Sequence, residues 1–535
     1  MPCAMSTKIK GSVFMSKLTR REFIKTMSLA TLAISMPINV FAADNCTVKT
    51  RYGTFNGFVD EKGVKTWLGI PYAQPPVGKL RWQATQPLKP TNKTFDAKKF
   101  GASAIQEDDK MEIASQNVQS EDCLTLNIWK RSEKKNLPVM VFIHSGSFMH
   151  GGTIEPLYNG NNLAASNDVI VVSFNYRLNI FGFMHFELID SAYSDAGYLG
   201  LKDQIAALKW IKENIAEFGG NPDNITIFGE SAGSISCMLL TVTPAAKNLF
   251  QNAIPESGPS RFVHDMEHAA KLTEDFMNLS GAKNMRDLMK KSSAELRDIY
   301  VKLFEMRIKT AHSDFIPACD GKFLPEDPFT AIKNGSAREI KFLTGVNADE
   351  WGYWLLYDEN YFKTFNETHE KISLVMSRYR KLTSHTDAEV YQKWLNGRPE
   401  TEANYRDFVN QVDWRVGQEL DAENQSKFND VYYYLFSDLS LREELGSFHS
   451  LELSFVFNKP FDDLLLNPNP KLVKQIQASW AAFAANGNPN NKFIPHWEKY
   501  SANNRQTMEL NSKGCVLHKD LNVQNLNSLR YVYES

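Results

Sequence analysis

The chain has 535 residues, 43% hydrophobic, 23% charged and 12% aromatic, the balance of a folded globular protein with a large core. That length holds two or three average domains or one large α/β domain. The formal net charge is −2 and no run of five or six like charges occurs, which argues against a nucleic acid or an anionic membrane as partner.

The N-terminus reads as a targeting segment. Thr19-Arg20-Arg21-Glu22-Phe23-Ile24-Lys25 resembles the twin-arginine export motif of bacteria. An apolar stretch follows from Met27 to Phe41, interrupted by Pro37, too short and too broken for a stable membrane anchor. Val40-Phe41-Ala42 suits a signal peptidase, so residues 1–42 are expected to be removed and 43–535 to form one exported domain, periplasmic or secreted. Met15 is an alternative start. Residues 1–42 carry six of the 60 basic and one of the 62 acidic side chains, which leaves a mature net charge near −7. Five cysteines remain after cleavage, Cys46, Cys123, Cys237, Cys319 and Cys515, with no Cys-x-x-Cys and no histidine spacing that suggests zinc. No disulfide framework, metal or cofactor is expected.

The mature chain opens with hairpin-like material, Thr47 to Thr50 and Gly53 to Gly57. The segment Trp67 to Trp82 carries three prolines, which exclude a helix there. Ser120-Glu121-Asp122-Cys123-Leu124 then leads into an alternating strand ending at Trp129. Pro138 to His144 and Val169 to Tyr176 are apolar runs typical of central parallel strands. A helix is expected from Gln204 to Ala216. After Phe218-Gly219-Gly220-Asn221-Pro222 comes Ile225-Thr226-Ile227-Phe228, a short buried-strand pattern.

That strand runs into Gly229-Glu230-Ser231-Ala232-Gly233 and then an apolar helical pattern. Strand, tight turn and helix are the context of a nucleophile elbow. The two glycines leave room where strand and helix nearly collide and tolerate strain at Ser231. Further on, Ala269, Leu272, Phe276 and Leu279 share a helical spacing, and Leu472 to Ala485 is an amphipathic helix stopped by Asn486-Gly487-Asn488-Pro489.

Glu121 to Leu124 and Phe218 to Gly233 together resemble the two signatures of the type B carboxylesterases, the cholinesterase-like branch of the α/β-hydrolases. The resemblance runs from about residue 46 to the C-terminus. It implies an α/β-hydrolase fold: a large, mostly parallel central sheet with helices on both faces and helical insertions, here about Phe262 to Asp314, walling a gorge. It implies a serine esterase that works through an acyl-enzyme on a small-molecule ester, with no cofactor. A monomer is expected.

The resemblance also implies roles. Ser231 is the nucleophile, Glu350 the acid and His449 the base, in the chain order of α/β-hydrolases. Asp349 is the alternative acid, and His144 is the rival histidine, too near its strand to turn toward Ser231. Gly146, Ser147 and Ala232 supply the oxyanion N–H groups. The family usually has a run of glycines after the histidine, and here Ser145 and Ser147 replace two of them. Trp351 stands where a glycine is usual and is expected to narrow the gorge. Glu230 and Ser257 are expected to support the triad, or else to be structural. The competing function is a catalytically inactive binding or adhesion module, since the fold has such members. A cholinesterase is disfavoured. Gln106 to Gln119 lacks the tryptophan that stacks on choline, and Ala104 stands about where the partner of Cys123 would be.

Overall fold

The computed structural model describes residues 46–108, 113–307, 314–356, 384–461 and 467–534. The twin-arginine motif and cleavage site lie outside them. The N-terminal hairpin forms as expected, β1 (Thr47–Thr50) antiparallel to β2 (Gly53–Asn56) with Thr50 opposite Gly53.

One large sheet organises the rest. Its strands are β3 (Phe58–Val59), β4 (Lys65–Pro71), β5 (Thr125–Lys130), β6 (Leu137–Ile143), β7 (Ile170–Phe174), β8 (Gly220–Glu230), β9 (Asn252–Glu256), β10 (Lys341–Asn347), β11 (Val431–Phe436), β12 (Gln506–Leu510) and β13 (Val516–Lys519). Their spatial order is β13-β12-β11-β10-β9-β8-β6-β7-β5-β4-β3. From β7 through to β12 all neighbours are parallel, and antiparallel pairs close both edges. The two apolar runs seen in the sequence are β6 and β7. Both are central, and all of β7 is buried, as continuous aliphatic strands require.

Helices cover both faces of this sheet. The helix expected at Gln204 begins earlier, at Leu199, and continues to Asn214. A tighter turn over Ile215–Phe218 then ends at Gly219, whose φ of 88° is a left-handed stop. The late amphipathic helix spans Pro470–Asn486, capped by the Asn469 side chain and closed by Gly487 at φ 68°. In helix Met266–Ser280 the buried stripe is Ala269, Leu272, Thr273, Phe276 and Ser280. Leu279 is 39% exposed, contrary to its expected place in the stripe. At 100° per residue it falls on the rim of the face, and Ser280 takes the inner position.

The parallel core fixes where chemistry can happen. The carboxyl ends of β6, β8, β9, β10 and β11 lie side by side. Ile143, Glu230, Glu256, Asn347 and Phe436 are their last residues, so the loops that follow start from one edge. Among the described residues no helix is long and apolar enough to cross a membrane.

Candidate active site

Ser231 is the residue between β8 and helix Ala232–Val242. Its backbone sits at φ 55°, ψ −119°, a conformation that costs an ordinary residue about 1–3 kcal/mol. The surroundings over-determine it. Its N–H donates to the Glu256 carbonyl at 3.0 Å, and its carbonyl accepts from Ile235 N–H at 2.9 Å. A Cβ on Gly229 would lie 2.8 Å from the Gly233 backbone, and one on Gly233 would overlap the Ile143 carbonyl. The two glycines therefore allow strand, turn and helix to meet. Ala232 opens the helix, so its N–H has no intrahelical acceptor.

The loop after β6 faces this turn. Gly146, Ser147 and Phe148 all have positive φ, 107°, 55° and 61°. Successive left-handed residues curl the backbone into a concave nest of N–H groups. A Cβ on Gly146 would overlap the His150 carbonyl, so that glycine is obligatory where its neighbours are not. His144 is held away from any reaction. Its ring stacks on Tyr176 with centroids 4.4 Å apart, its Nδ1 lies 2.8 Å from the Ser145 carbonyl, and its own carbonyl accepts from Tyr176 Oη.

The loops that carry Glu350 and His449 are latched together. His449 N–H donates to the Glu350 carbonyl at 3.2 Å, and Asn347 Nδ2 donates to the Phe448 carbonyl at 2.7 Å. Asp349 accepts from Ser447 N–H at 3.0 Å while its own N–H donates to the Ser447 carbonyl. Asp349 is thus used in holding the histidine loop, and Glu350 is the carboxylate that meets the imidazole. His449 Nδ1 lies 2.5 Å from Glu350 Oε2. Glu350 Oε1 in turn accepts from Ser257 Oγ at 2.6 Å and from Asn347 N–H at 2.7 Å.

On its other side His449 meets Glu230. Nε2 is 3.0 Å from Glu230 Oε1, in a charge contact rather than a linear hydrogen bond. Burial opposes a charged imidazole, but Glu230 and Glu350 outweigh it and hold His449 well above its ordinary range. Two further carboxyls, Glu256 and Glu452, are buried close by. Burial pushes both well above the usual carboxylate range, and Glu230 adds to the effect. Among the described residues Glu256 Oε2 and Glu452 Oε1 have no hydrogen-bond partner.

Aromatic rings complete the surroundings. Trp354 stacks on His449 with centroids 5.7 Å apart, and Trp414 approaches it to 4.4 Å. Trp351 itself lies behind Trp354, 4.6 Å from it, and is buried. The ring beside His449 is therefore Trp354, three residues further on. Glycine at 352 is needed because a Cβ would overlap the Leu445 carbonyl.

His449 meets both Glu350 and Glu230, Glu350 accepts from Ser257, and Ser231 follows Glu230 directly in the chain. Sequence reasoning missed Trp354, Trp414, Glu256, Glu452 and the contact of Ser145 described below. Glu256 and Glu452 were visible beside Ser257 and three residues after His449, but nothing in their spacing said they were buried. Trp414 carried no signal at all. Among the described residues no cluster of metal-ligating side chains occurs, and Cys46, Cys123, Cys237, Cys319 and Cys515 are all buried.

The carboxylesterase family model matches residues 44–529. The chain is 38% identical over 484 residues to a para-nitrobenzyl esterase of Bacillus subtilis, covering 87% of this chain and 95% of that protein. It is 31% identical to a cholinesterase of Mus musculus, covering 95% of this chain and 89% of that one. Among solved structures, a thermophilic para-nitrobenzyl esterase superposes with a TM-score of 0.80 at 34% identity, covering 91% of this chain and all of its own. A carboxylesterase of Geobacillus stearothermophilus does so with a TM-score of 0.80 at 31% identity, covering 90% and 99%.

Proposed function

This chain belongs to the carboxylesterase family, and from that premise we propose that Ser231, His449 and Glu350 are its nucleophile, general base and orienting acid. The protein is a carboxylic ester hydrolase, and its substrates are small-molecule esters. In the proposed sequence His449 Nε2 takes the proton of Ser231 Oγ as that oxygen attacks the ester carbonyl. The oxyanion accepts from the N–H groups of Gly146, Ser147 and Ala232, a reading supported by the positive φ of Gly146 and Ser147 and by the place of Ala232 at the helix start. His449 then hands its proton to the departing alcohol. Water repeats the cycle on the acyl-enzyme. Glu350 accepts a hydrogen bond from Nδ1–H, stays ionised and keeps Nε2 as the reactive nitrogen.

The observation that carries this reading is the 2.5 Å pairing of His449 Nδ1 with Glu350, next to a serine strained at a helix N-terminus. A fluorophosphonate probe tests it. Stoichiometric labelling mapped to the Ser231 peptide is expected, and absent in Ser231→Ala. A wild type that resists the probe points instead to an inactive binding module.

Residues 1–42 are proposed to be a removable twin-arginine signal and 43–535 the mature enzyme, exported as a folded monomer. Replacing Arg20 and Arg21 by Lys is expected to leave active enzyme in the cytoplasm, and unimpaired export would refute the route. Given the Bacillus relative, para-nitrobenzyl esters are the first substrates to try.

A further inference from the structure

Ser145 stands where the family usually has a glycine, and it is not a passive replacement. Its side chain is buried beside β8. Its Oγ lies 2.5 Å from Glu230 Oε2 and 3.0 Å from the Glu230 carbonyl. A hydroxyl has one proton, and the shorter contact to the carboxylate is where it goes. The other carboxylate oxygen, Glu230 Oε1, is the one 3.0 Å from His449 Nε2. Glu230 is thus gripped at one oxygen by the oxyanion loop and leaves only the other for the base.

This matters because Nε2 is wanted by two groups. It must accept the Ser231 proton, and it is also attracted by Glu230. A carboxylate free to swing fully onto Nε2 would hold the imidazolium and deny it to Ser231. We propose that Ser145 is a positioning residue that ties the Glu230 carboxylate to the oxyanion loop and limits its hold on His449, keeping Nε2 available to the nucleophile. The inference rests on His449 acting as the base. Loop and acid are then set as one unit, so the oxyanion N–H groups and the imidazole keep their relative register.

The titratable groups that face this contact are Glu230 on β8, His449 and Glu452 on the histidine loop, Glu350 after β10, and Glu256 at the end of β9. Of these, only His449 can carry a positive charge, and its Nε2 is the atom whose availability is in question.

The test is a double-mutant cycle of Ser145→Ala and Glu230→Gln, with kcat/KM for a nitrophenyl ester measured from pH 5 to 9. Ser145→Ala is expected to lower kcat/KM about tenfold at pH 6 and much less at pH 8, because freed Glu230 binds the imidazolium more tightly and moves the acid limb to higher pH. In the Glu230→Gln background the same substitution is expected to leave the limb in place, and the two effects are not additive. Ser145→Cys, which keeps the shape but donates weakly, is expected to behave like the alanine and supplies the test if the alanine variant misfolds. A loss that is the same at every pH and adds to that of Glu230→Gln would overturn the inference and leave Ser145 a packing role. His449→Ala measured alongside separates the two readings. Activity surviving in that variant refutes the base itself, whereas a dead His449→Ala beside an unshifted Ser145→Ala limb refutes only the role of Ser145.

Discussion

Two of the buried charge clusters in this fold are built on opposite principles. In one, Arg177 forks onto Asp203, Nε to Oδ2 and Nη2 to Oδ1, both at 2.7 Å. Its remaining reach goes to the Gln83 carbonyl and Thr85 Oγ1, and Thr85 donates to Asp203 at 2.5 Å. Every Arg177 nitrogen is used. A small cavity beside it, lined among others by Arg81, Glu121 and Cys123, contains no active-site residue. Cys123 is buried beside it, and that burial pushes its thiol up, away from the reactive thiolate form. In the other cluster one imidazole is set between Glu230 and Glu350, two more carboxyls crowd in, and polar oxygens are left without hydrogen-bond partners among the described residues. The first cluster is satisfied and holds the fold. The second is under-satisfied beside a strained serine, which is the condition of a site that must change protonation state. Full satisfaction would lock His449 in one state.

This contrast can be broken experimentally. The largest expected effect is Ser231→Ala, a loss of about a million-fold in kcat if the groups act as one unit. His449→Ala should be nearly as severe and Glu350→Gln large but milder, all with native-like thermal unfolding. Residual turnover above about one per cent in pure Ser231→Ala, against that million-fold expectation, would reject it as nucleophile.

Asp203→Asn is the converse. It breaks a buried, fully used pair, and the expected loss is about 3–5 kcal/mol of stability. Denaturant melts check the loss, and kcat per folded, probe-labelled molecule should be close to wild type. A stable protein with a crippled kcat would erase the distinction between the clusters.

Glu230→Gln sharpens it through pH. His449 is held above its ordinary range, so as a base it becomes competent only as pH rises through that raised value. Removing one of the two flanking charges lowers the value, and the acid limb of kcat/KM should move to lower pH. A limb that stays put would mean Glu230 does not govern the base.

The smallest effect is expected at Ser147. Its N–H is proposed as an oxyanion donor whatever the side chain, and the residue sits partly exposed on the loop at φ 55°. Ser147→Gly removes bulk on the alcohol side and relieves the left-handed conformation, so the kcat/KM ratio of a tert-butyl to an ethyl ester should rise. A level or falling ratio would give the side chain a structural role.

How much of this was legible beforehand follows from the kind of interaction. The elbow was readable because its glycines answer a local steric demand: Gly229, Ser231 and Gly233 meet within one turn. The strands β6 and β7 were readable because burial on both faces forces continuous apolar runs. Caps at Asn469 and Gly487 are local chemistry too. The pairing of Ser231 with Glu350 and His449 came from resemblance, since no local rule joins residues more than a hundred positions apart. Only the tertiary structure decided which side chains share the buried space around His449. Trp414 reaches it from a distant helical segment, Trp354 displaces Trp351 as the neighbouring ring, and Ser145 finds Glu230 across 85 residues. Those contacts depend on how the carboxyl ends of parallel strands line up, a property of the sheet order. Local sequence dictates turns, caps and apolar faces, whereas the environment that tunes a charge is assembled from whatever the fold places beside it.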